Sequence, residues 1–257
     1  MAESIAVEEL FSLRGRTAIV TGASSGLGER FSRVLHAAGA NVVAVARRDE
    51  RLRDLSRGHE RITGHAADVT DDAAMRALVA AVVDRFGGID ILVNNAGAGT
   101  PAPAVDEELD AFRSSLELNL VAVFNLSRLV AAPMLEAGRG SIINISSIFG
   151  LGSSWPIPNG AYTAAKGGVV NLTRELGCQW AERGVRVNAL APGFFPAEST
   201  RDVTESEEGT AYVTRRTPMR RTGKPHELDG ALMFLASDAS SFMTGQTITV
   251  DGGWSAH

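Results

Sequence analysis

The stretch Thr17-Ala18-Ile19-Val20-Thr21-Gly22-Ala23-Ser24-Ser25-Gly26-Leu27-Gly28 decides the fold. A short apolar run, Thr17 to Val20, leads into glycines spaced G-x3-G-x-G. A helical pattern from Leu27 to Ala38 follows and stops at Gly39, a helix-end signal. Strand, tight turn and helix in that order aim free backbone N–H groups and the positive end of the helix dipole at one point. Glycines there let a phosphate approach the backbone. The turn therefore predicts phosphate binding through Gly22, Ser24, Ser25, Gly26, Leu27 and Gly28. The spacing is not the usual G-x-G-x-x-G fingerprint, and a plain strand–helix corner is the rival reading.

Outward from that stretch the same alternation continues. Apolar runs at Val42 to Ala46, Ile62 to Ala66, Ile89 to Val93, Ser141 to Ile145, Val185 to Leu190 and Thr247 to Val250 read as strands. Helical patterns fill the gaps: Ala73 to Phe86 behind Asp71-Asp72, Leu109 to Ala137, Tyr162 to Arg183, and a last one opened by Pro225 and running through Leu235. Near-continuous apolar strands alternating with helices predict an α/β fold: a Rossmann-like, doubly wound parallel sheet of about seven strands, covered on both faces. Ligands bind such sheets at the carboxyl ends of the strands. The 257 residues fit one domain. Residues 194–222, rich in Thr, Glu, Ser and Arg, are too long for a structureless connection and predict a flap with short helices.

Bulk composition narrows the function classes. A net charge of −5 argues against nucleic-acid binding. A single cysteine, Cys178, excludes an internal disulfide and a cysteine-built metal site, and no metal is expected. Met1 to Leu10 has no basic segment followed by an apolar run, so no signal peptide is read there, and no apolar run approaches the ~18 residues of a membrane span. The expectation is a cytoplasmic protein.

Two further features point to chemistry. In Ala161-Tyr162-Thr163-Ala164-Ala165-Lys166, a tyrosine and a lysine stand four residues apart on one helix face. A free phenol titrates near pH ~10, too high for proton transfer at neutral pH, and a fixed ammonium beside it favours the phenolate. Tyr162 is then a candidate general acid/base with Lys166 as its tuner. At the end of the second strand, an acid would bind the ribose 2′-hydroxyl of NAD. Here Ala46 stands at that place and Arg47-Arg48 follow, which suits the 2′-phosphate of NADP through the planar guanidinium fork. Asp49 and Glu50 offer a rival ribose contact, though they also read as the start of the next helix.

Together, the glycine turn, Tyr162 and Lys166 resemble the short-chain dehydrogenase/reductase family, over about Leu13 to Gly253. Thr21 to Gly28 resembles its T-G-x3-G-x-G turn. Asp68-Val69 resembles the pair flanking adenine. Asn94-Asn95-Ala96-Gly97 resembles its N-N-A-G element, bringing Asn95, Ala96 and Gly97 to the cofactor. Pro192-Gly193 resembles the P-G beside the nicotinamide. The resemblance implies catalytic roles for Asn119, Ser147, Tyr162 and Lys166, with Ser146 as a competitor to Ser147. Ser147 and Tyr162 would hold the substrate oxygen, Tyr162 would pass the proton, Lys166 would also hold the nicotinamide ribose, and Asn119 would anchor a water. It further implies NADP(H)-dependent interconversion of a secondary alcohol and a ketone on a small-molecule substrate, of sugar-acid or polyol type. A 3-oxoacyl thioester reductase is one alternative, and a cofactor-binding regulator without turnover is another. A homotetramer would pair the helices at Leu109 to Ala137 and Tyr162 to Arg183, with a second contact over Pro225 to Val250.

Two departures from the family stand out. Ser147 precedes Tyr162 by fifteen positions, two more than the family's commonest spacing, so the loop holding Trp155, Pro156 and Pro158 is enlarged. The P-G element also lacks its usual threonine, since Pro192-Gly193 runs into Phe194-Phe195-Pro196. The Phe195 backbone is then the expected carboxamide contact, with Thr200 as an alternative. Phe149, Trp155, Phe194 and Phe195 predict a partly aromatic pocket. Arg201, Arg215, Arg216, Arg220 and Arg221 are read either as an anion-attracting set or as solvated surface.

Overall fold

The computed structural model describes residues 6–256, apart from two flap side chains, so the reading of Met1 to Ile5 lies outside it. After a short helix α1 (Val7–Leu10), the chain alternates as expected. The strands are β1 (Thr17–Thr21), β2 (Asn41–Ala46), β3 (Ile62–Ala66), β4 (Ile91–Asn94), β5 (Gly140–Ile145), β6 (Val185–Pro192) and β7 (Thr247–Val250). The helices are α2 (Gly26–Ala37), α3 (Asp49–Ser56), α4 (Asp72–Phe86), α5 (Leu109–Leu116), α6 (Ala122–Ala137), α7 (Gly160–Trp180), α8 (Arg201–Thr204), α9 (Glu207–Arg216) and α10 (Asp229–Ala236). One all-parallel sheet has the order β3-β2-β1-β4-β5-β6-β7. The order reverses between β1 and β4, and the crevice at their carboxyl ends is where such sheets bind ligands.

Burial explains why the central strands read as unbroken apolar runs. All of β1, β4 and nearly all of β6 is buried, because helices cover both faces. Phe31, Leu35, Leu52, Leu232 and Leu235 pack on one face. Met75, Leu78, Leu126, Val130 and Met134 pack on the other. Each such side chain contributes roughly 1.5–3 kcal/mol by leaving water. The interior polar groups are paired across the layers. Asn94 and Asn144 are register partners on β4 and β5, and Asn94 Nδ2 donates to Asn144 Oδ1 at 2.9 Å and to Ser127 Oγ at 2.9 Å. Asn144 Nδ2 donates onward to Thr173 Oγ1 on α7 at 3.0 Å.

Two readings are corrected. The expected helix from Leu109 to Ala137 is not one α-helix: a π-helical turn, Glu117–Val121, separates α5 from α6 and carries Asn119. The extra residue of that turn lets the Asn119 amide bond out of the helix, as described below. The helix opened by Pro225 begins as a 3-10 turn, Pro225–Leu228, before α10. The helical stretch Leu109–Ala137 is also apolar and long enough by composition to cross a membrane, although no uninterrupted run in the sequence is. Much of that apolar surface is core: Leu126, Val130 and Met134 are fully buried against the sheet. Asp49 and Glu50 open α3, and the flap contains the short helices α8 and α9.

Candidate active site

The glycine turn is locked to the end of β4. Thr21 Oγ1 accepts from the backbone N–H groups of Asn95 and Ala96, both at 3.0 Å, and Asn95 Nδ2 donates to Thr21 O at 2.9 Å. Gly22 has φ +67°, and a Cβ there would stand 2.8 Å from Asn95 Nδ2. A Cβ on Gly28 would stand 2.5 Å from the same nitrogen. Only glycine lets the turn lie this close to the Asn95-Ala96-Gly97 element. Ser25, the N-cap of α2, makes no side-chain cap hydrogen bond, so its hydroxyl faces outward.

An anion-binding cluster has assembled over that turn. Arg48 Nε donates to Ser24 Oγ at 3.1 Å and Nη2 to Ser25 Oγ at 2.7 Å. The same guanidinium holds the Glu198 carboxylate of the flap at 2.9 and 3.2 Å, and Ser25 Oγ donates to it at 3.0 Å. Those bonds hold the Glu198 carboxyl below its ordinary value, the Arg48 bond first. An internal carboxylate thus rests on the residues expected to hold a phosphate. Arg47 points elsewhere, pairing with Asp68 at 3.9 Å. The Asp68 carboxylate accepts from the N–H and hydroxyl of Thr70, which lower its pKa. Val69 is buried beside it.

At the ends of β5 and α7 the four expected catalytic residues converge. Ser146 and Ser147 differ in their surroundings. Ser146 Oγ is buried and donates to Lys166 O at 3.0 Å. Ser147 Oγ accepts from Phe149 N at 3.1 Å and is hydrogen-bonded to the Tyr162 phenol. Lys166 is 3% exposed and Nζ donates to Ile145 O at 2.8 Å. Asn119 is fully buried: Nδ2 donates to Ala98 O at 2.8 Å and Ser115 O at 2.9 Å, and Oδ1 accepts from Ala98 N at 3.2 Å. A Cβ on Gly97 would stand 2.7 Å from Asn119 Oδ1 and 3.2 Å from Lys166 Nζ, so Gly97, Asn119 and Lys166 share one corner.

The tuning of Tyr162 by Lys166 is corrected. Burial pushes the Tyr162 phenol up, and only the Ser147 hydrogen bond pulls it down. Lys166 is itself buried without a carboxylate partner, which brings it down to about 8. Its ammonium faces the Tyr162 ring, 5.5 Å from the centroid, and is bound to a carbonyl. The phenol is therefore protonated at neutral pH, the state that donates a proton.

Near the expected nicotinamide side, Pro192 ends β6 and Gly193 N donates to Val250 O at 2.9 Å. Thr200 Oγ1 donates to Phe195 O at 2.6 Å and accepts from Ala197 N at 3.0 Å, bracing the flap. The aromatic wall differs from expectation. Phe149 and Phe194 are part of it, with ring centroids 5.9 Å apart, and Tyr212 and Trp254 complete it. The Phe195 ring instead packs in the main core, and Trp155 is 72% exposed at the rim. Tyr212, Trp254 and Glu198 escaped the sequence reading. Trp254 lies four residues beyond β7, at the carboxyl edge of the sheet, and that position was its available signal. A cavity of about 470 Å³ lies between Ala102, Trp155 and the Thr163-Ala164 face of α7, and none of the four catalytic candidates lines it.

The sheet order, the glycine turn and the Ser147–Tyr162–Lys166 set define an oxidoreductase of the short-chain dehydrogenase/reductase family, and the chain belongs to that family. A family model described as Enoyl-(Acyl carrier protein) reductase matches residues 22–255. The chain is 41% identical to a gluconate 5-dehydrogenase of Gluconobacter oxydans (strain 621H), over 95% of this chain and 96% of the relative. It is 37% identical to a 3-oxoacyl-(acyl-carrier-protein) reductase of Thermotoga maritima, over 94% of this chain and 98% of that one. A gluconate 5-dehydrogenase from Burkholderia cenocepacia J2315, solved in complex with NADP and tartrate, superposes with a TM-score of 0.93 at 37% identity, covering 98% of this chain and 100% of that chain.

Proposed function

We propose that this protein is an NADP(H)-dependent dehydrogenase that interconverts a secondary alcohol and a ketone on a sugar acid or polyol. The observation that carries it is the convergence of Ser147, Tyr162 and Lys166 beside a glycine turn whose anion cluster, Ser24, Ser25 and Arg48, already binds a carboxylate. The residues fit the dinucleotide: Gly22 and Gly28 let the turn pack tightly on the Asn95-Ala96 backbone, and α2 offers an N-terminus with no side-chain cap. When bound, the cofactor supplies or accepts the hydride. Ser147 holds the substrate oxygen by a hydrogen bond that strengthens as negative charge builds there. Tyr162, protonated in this environment, gives its proton to that oxygen in reduction and recovers it in oxidation. Lys166 and Asn119 hold the corner at Gly97, where Lys166 would contact the nicotinamide ribose. Arg48, Ser24 and Ser25 would hold the 2′-phosphate. We place the enzyme in the cytoplasm as a homotetramer; exposed Val121 and Phe124, along the Leu109–Ala137 helical stretch, support pairing there.

The gluconate relatives favour a sugar acid, and the Thermotoga maritima relative favours a 3-oxoacyl thioester as the second reading. A turnover panel separates them: NADP⁺-linked oxidation of C6 sugar acids and polyols, set against NADPH-linked reduction of a short 3-oxoacyl thioester. Oxidation of the acids or polyols is expected. Turnover of the thioester alone replaces the substrate reading.

Glu198 bears on the cofactor directly. Its carboxylate and a 2′-phosphate compete for Arg48 and Ser25. Both partners of the pair are about half exposed, so the competition is modest, on the order of 0.2–1 kcal/mol. Glu198→Gln is expected to tighten NADPH about two- to fivefold, with a smaller change for NADH, in a fluorescence titration.

A further inference from the structure

The flap meets the enlarged loop through α9, at Tyr212 and at Arg216, the helix's last residue. Its Nη1 donates to Trp155 O at 2.9 Å, and the Tyr212 hydroxyl donates to the same oxygen at 3.2 Å. The guanidinium lies over the Trp254 ring, 4.9 Å from the centroid, and 5.9 Å from that of Tyr212. Stacking on an indole fixes the plane of a guanidinium and leaves its edge donors free. Arg201 and Arg221 of the flap each pair with a glutamate, as does Arg48 facing it. Arg216 has no carboxylate partner among the described residues. It also ends the aromatic wall that begins at Phe149, two residues from Ser147, and passes through Phe194 to Trp254. A guanidinium held by stacking, with no carboxylate partner, at the end of this aromatic cluster can donate to one anionic group, and carboxylate matches its fork.

We infer that Arg216 binds the carboxylate of an acid substrate and sets the preference for sugar acids over neutral polyols. The inference rests on the dehydrogenase reading above. With the carboxylate on Arg216, the substrate lies along the wall of Phe149 and Phe194 and its far hydroxyls point toward Ser147 and Tyr162. The contact is made in the ground state and in the transition state alike, so it acts chiefly on KM.

The test compares Arg216→Gln and Arg216→Lys with the unaltered enzyme, using a C6 sugar acid and its neutral polyol counterpart with NADP⁺. A charge-assisted contact of this kind corresponds to about a 10- to 100-fold loss. The expected result is that Arg216→Gln lowers kcat/KM for the acid by that much more than for the polyol, mostly through KM, and that Arg216→Lys recovers part of the difference. Equal losses for acid and polyol would mean that Arg216 only ties the flap to Trp155, and would overturn the inference. So would unchanged selectivity. A second readout needs no variant: in the unaltered enzyme, rising salt should raise KM for the acid and leave the polyol flat, and parallel salt responses count against Arg216. If the unaltered enzyme oxidises neither compound, the sugar-acid reading itself fails, which is distinct from an acid that is turned over without regard to Arg216.

Discussion

Tyr162→Phe is expected to lower turnover by about 10²- to 10⁴-fold while leaving NADPH affinity unchanged. The phenol is bonded to Ser147 where the substrate oxygen would sit, and phenylalanine keeps the ring that packs beside Gly99 and under Lys166. The loss should appear in kcat, because the proton moves only in the transition state. Burial holds the phenol protonated, so reduction, which needs the proton, should stay active into alkaline pH, while oxidation, which needs it removed, should gain as pH rises. A phenylalanine variant with appreciable activity, measured as cofactor absorbance change at saturating substrate, would remove Tyr162 from the mechanism.

Lys166→Met should show the opposite signs for activity and stability. Lys166 titrates at about 8 in the folded protein, against 10.5 for an ordinary lysine. Between those values the unfolded chain holds a proton that the folded chain has released, so stability rises with pH across that window. Below pH 8 the full penalty is present, on the order of 3 kcal/mol. Methionine removes it and leaves the Ile145 carbonyl without its donor, which costs about 1–3 kcal/mol. The variant is therefore expected to melt at or slightly above the unaltered protein at pH 7, and to lose that advantage as pH rises from 8 toward 10.5. Turnover should collapse, because Lys166 is expected to hold the ribose beside Tyr162. Thermal melts across pH decide it: a variant several degrees less stable at pH 7 would contradict the buried, uncompensated ammonium.

Much of this was legible in the sequence for a physical reason. A strand covered on both faces must be apolar at every position, so Ala18-Ile19-Val20 and Ile91-Leu92-Val93 announce themselves. A turn that lets backbone touch backbone must be glycine, so Gly22 and Gly28 do too. The π-turn at Asn119 was not legible, since one added residue leaves the apolar pattern of Leu109 to Ala137 nearly intact. Contacts between distant segments were invisible for a different reason. Glu198 meets Arg48 across 150 positions and Arg216 meets Trp155 across 61, and no local pattern encodes either pair. The tuning of Tyr162 failed because spacing on a helix face places an ammonium near a ring and says nothing about the burial of both.

The chemistry depends throughout on a dinucleotide held by the glycine turn and Arg48, so the most direct measurement is a fluorescence titration of the purified protein with NADPH and, separately, NADH. A charge-assisted contact from Arg48, with Ser24 and Ser25 beside it, should make NADPH tighter by about 10- to 100-fold. Equal affinities, or tighter binding of NADH, would contradict the assignment of Arg48 to the 2′-phosphate, and binding of neither would contradict the enzyme reading itself.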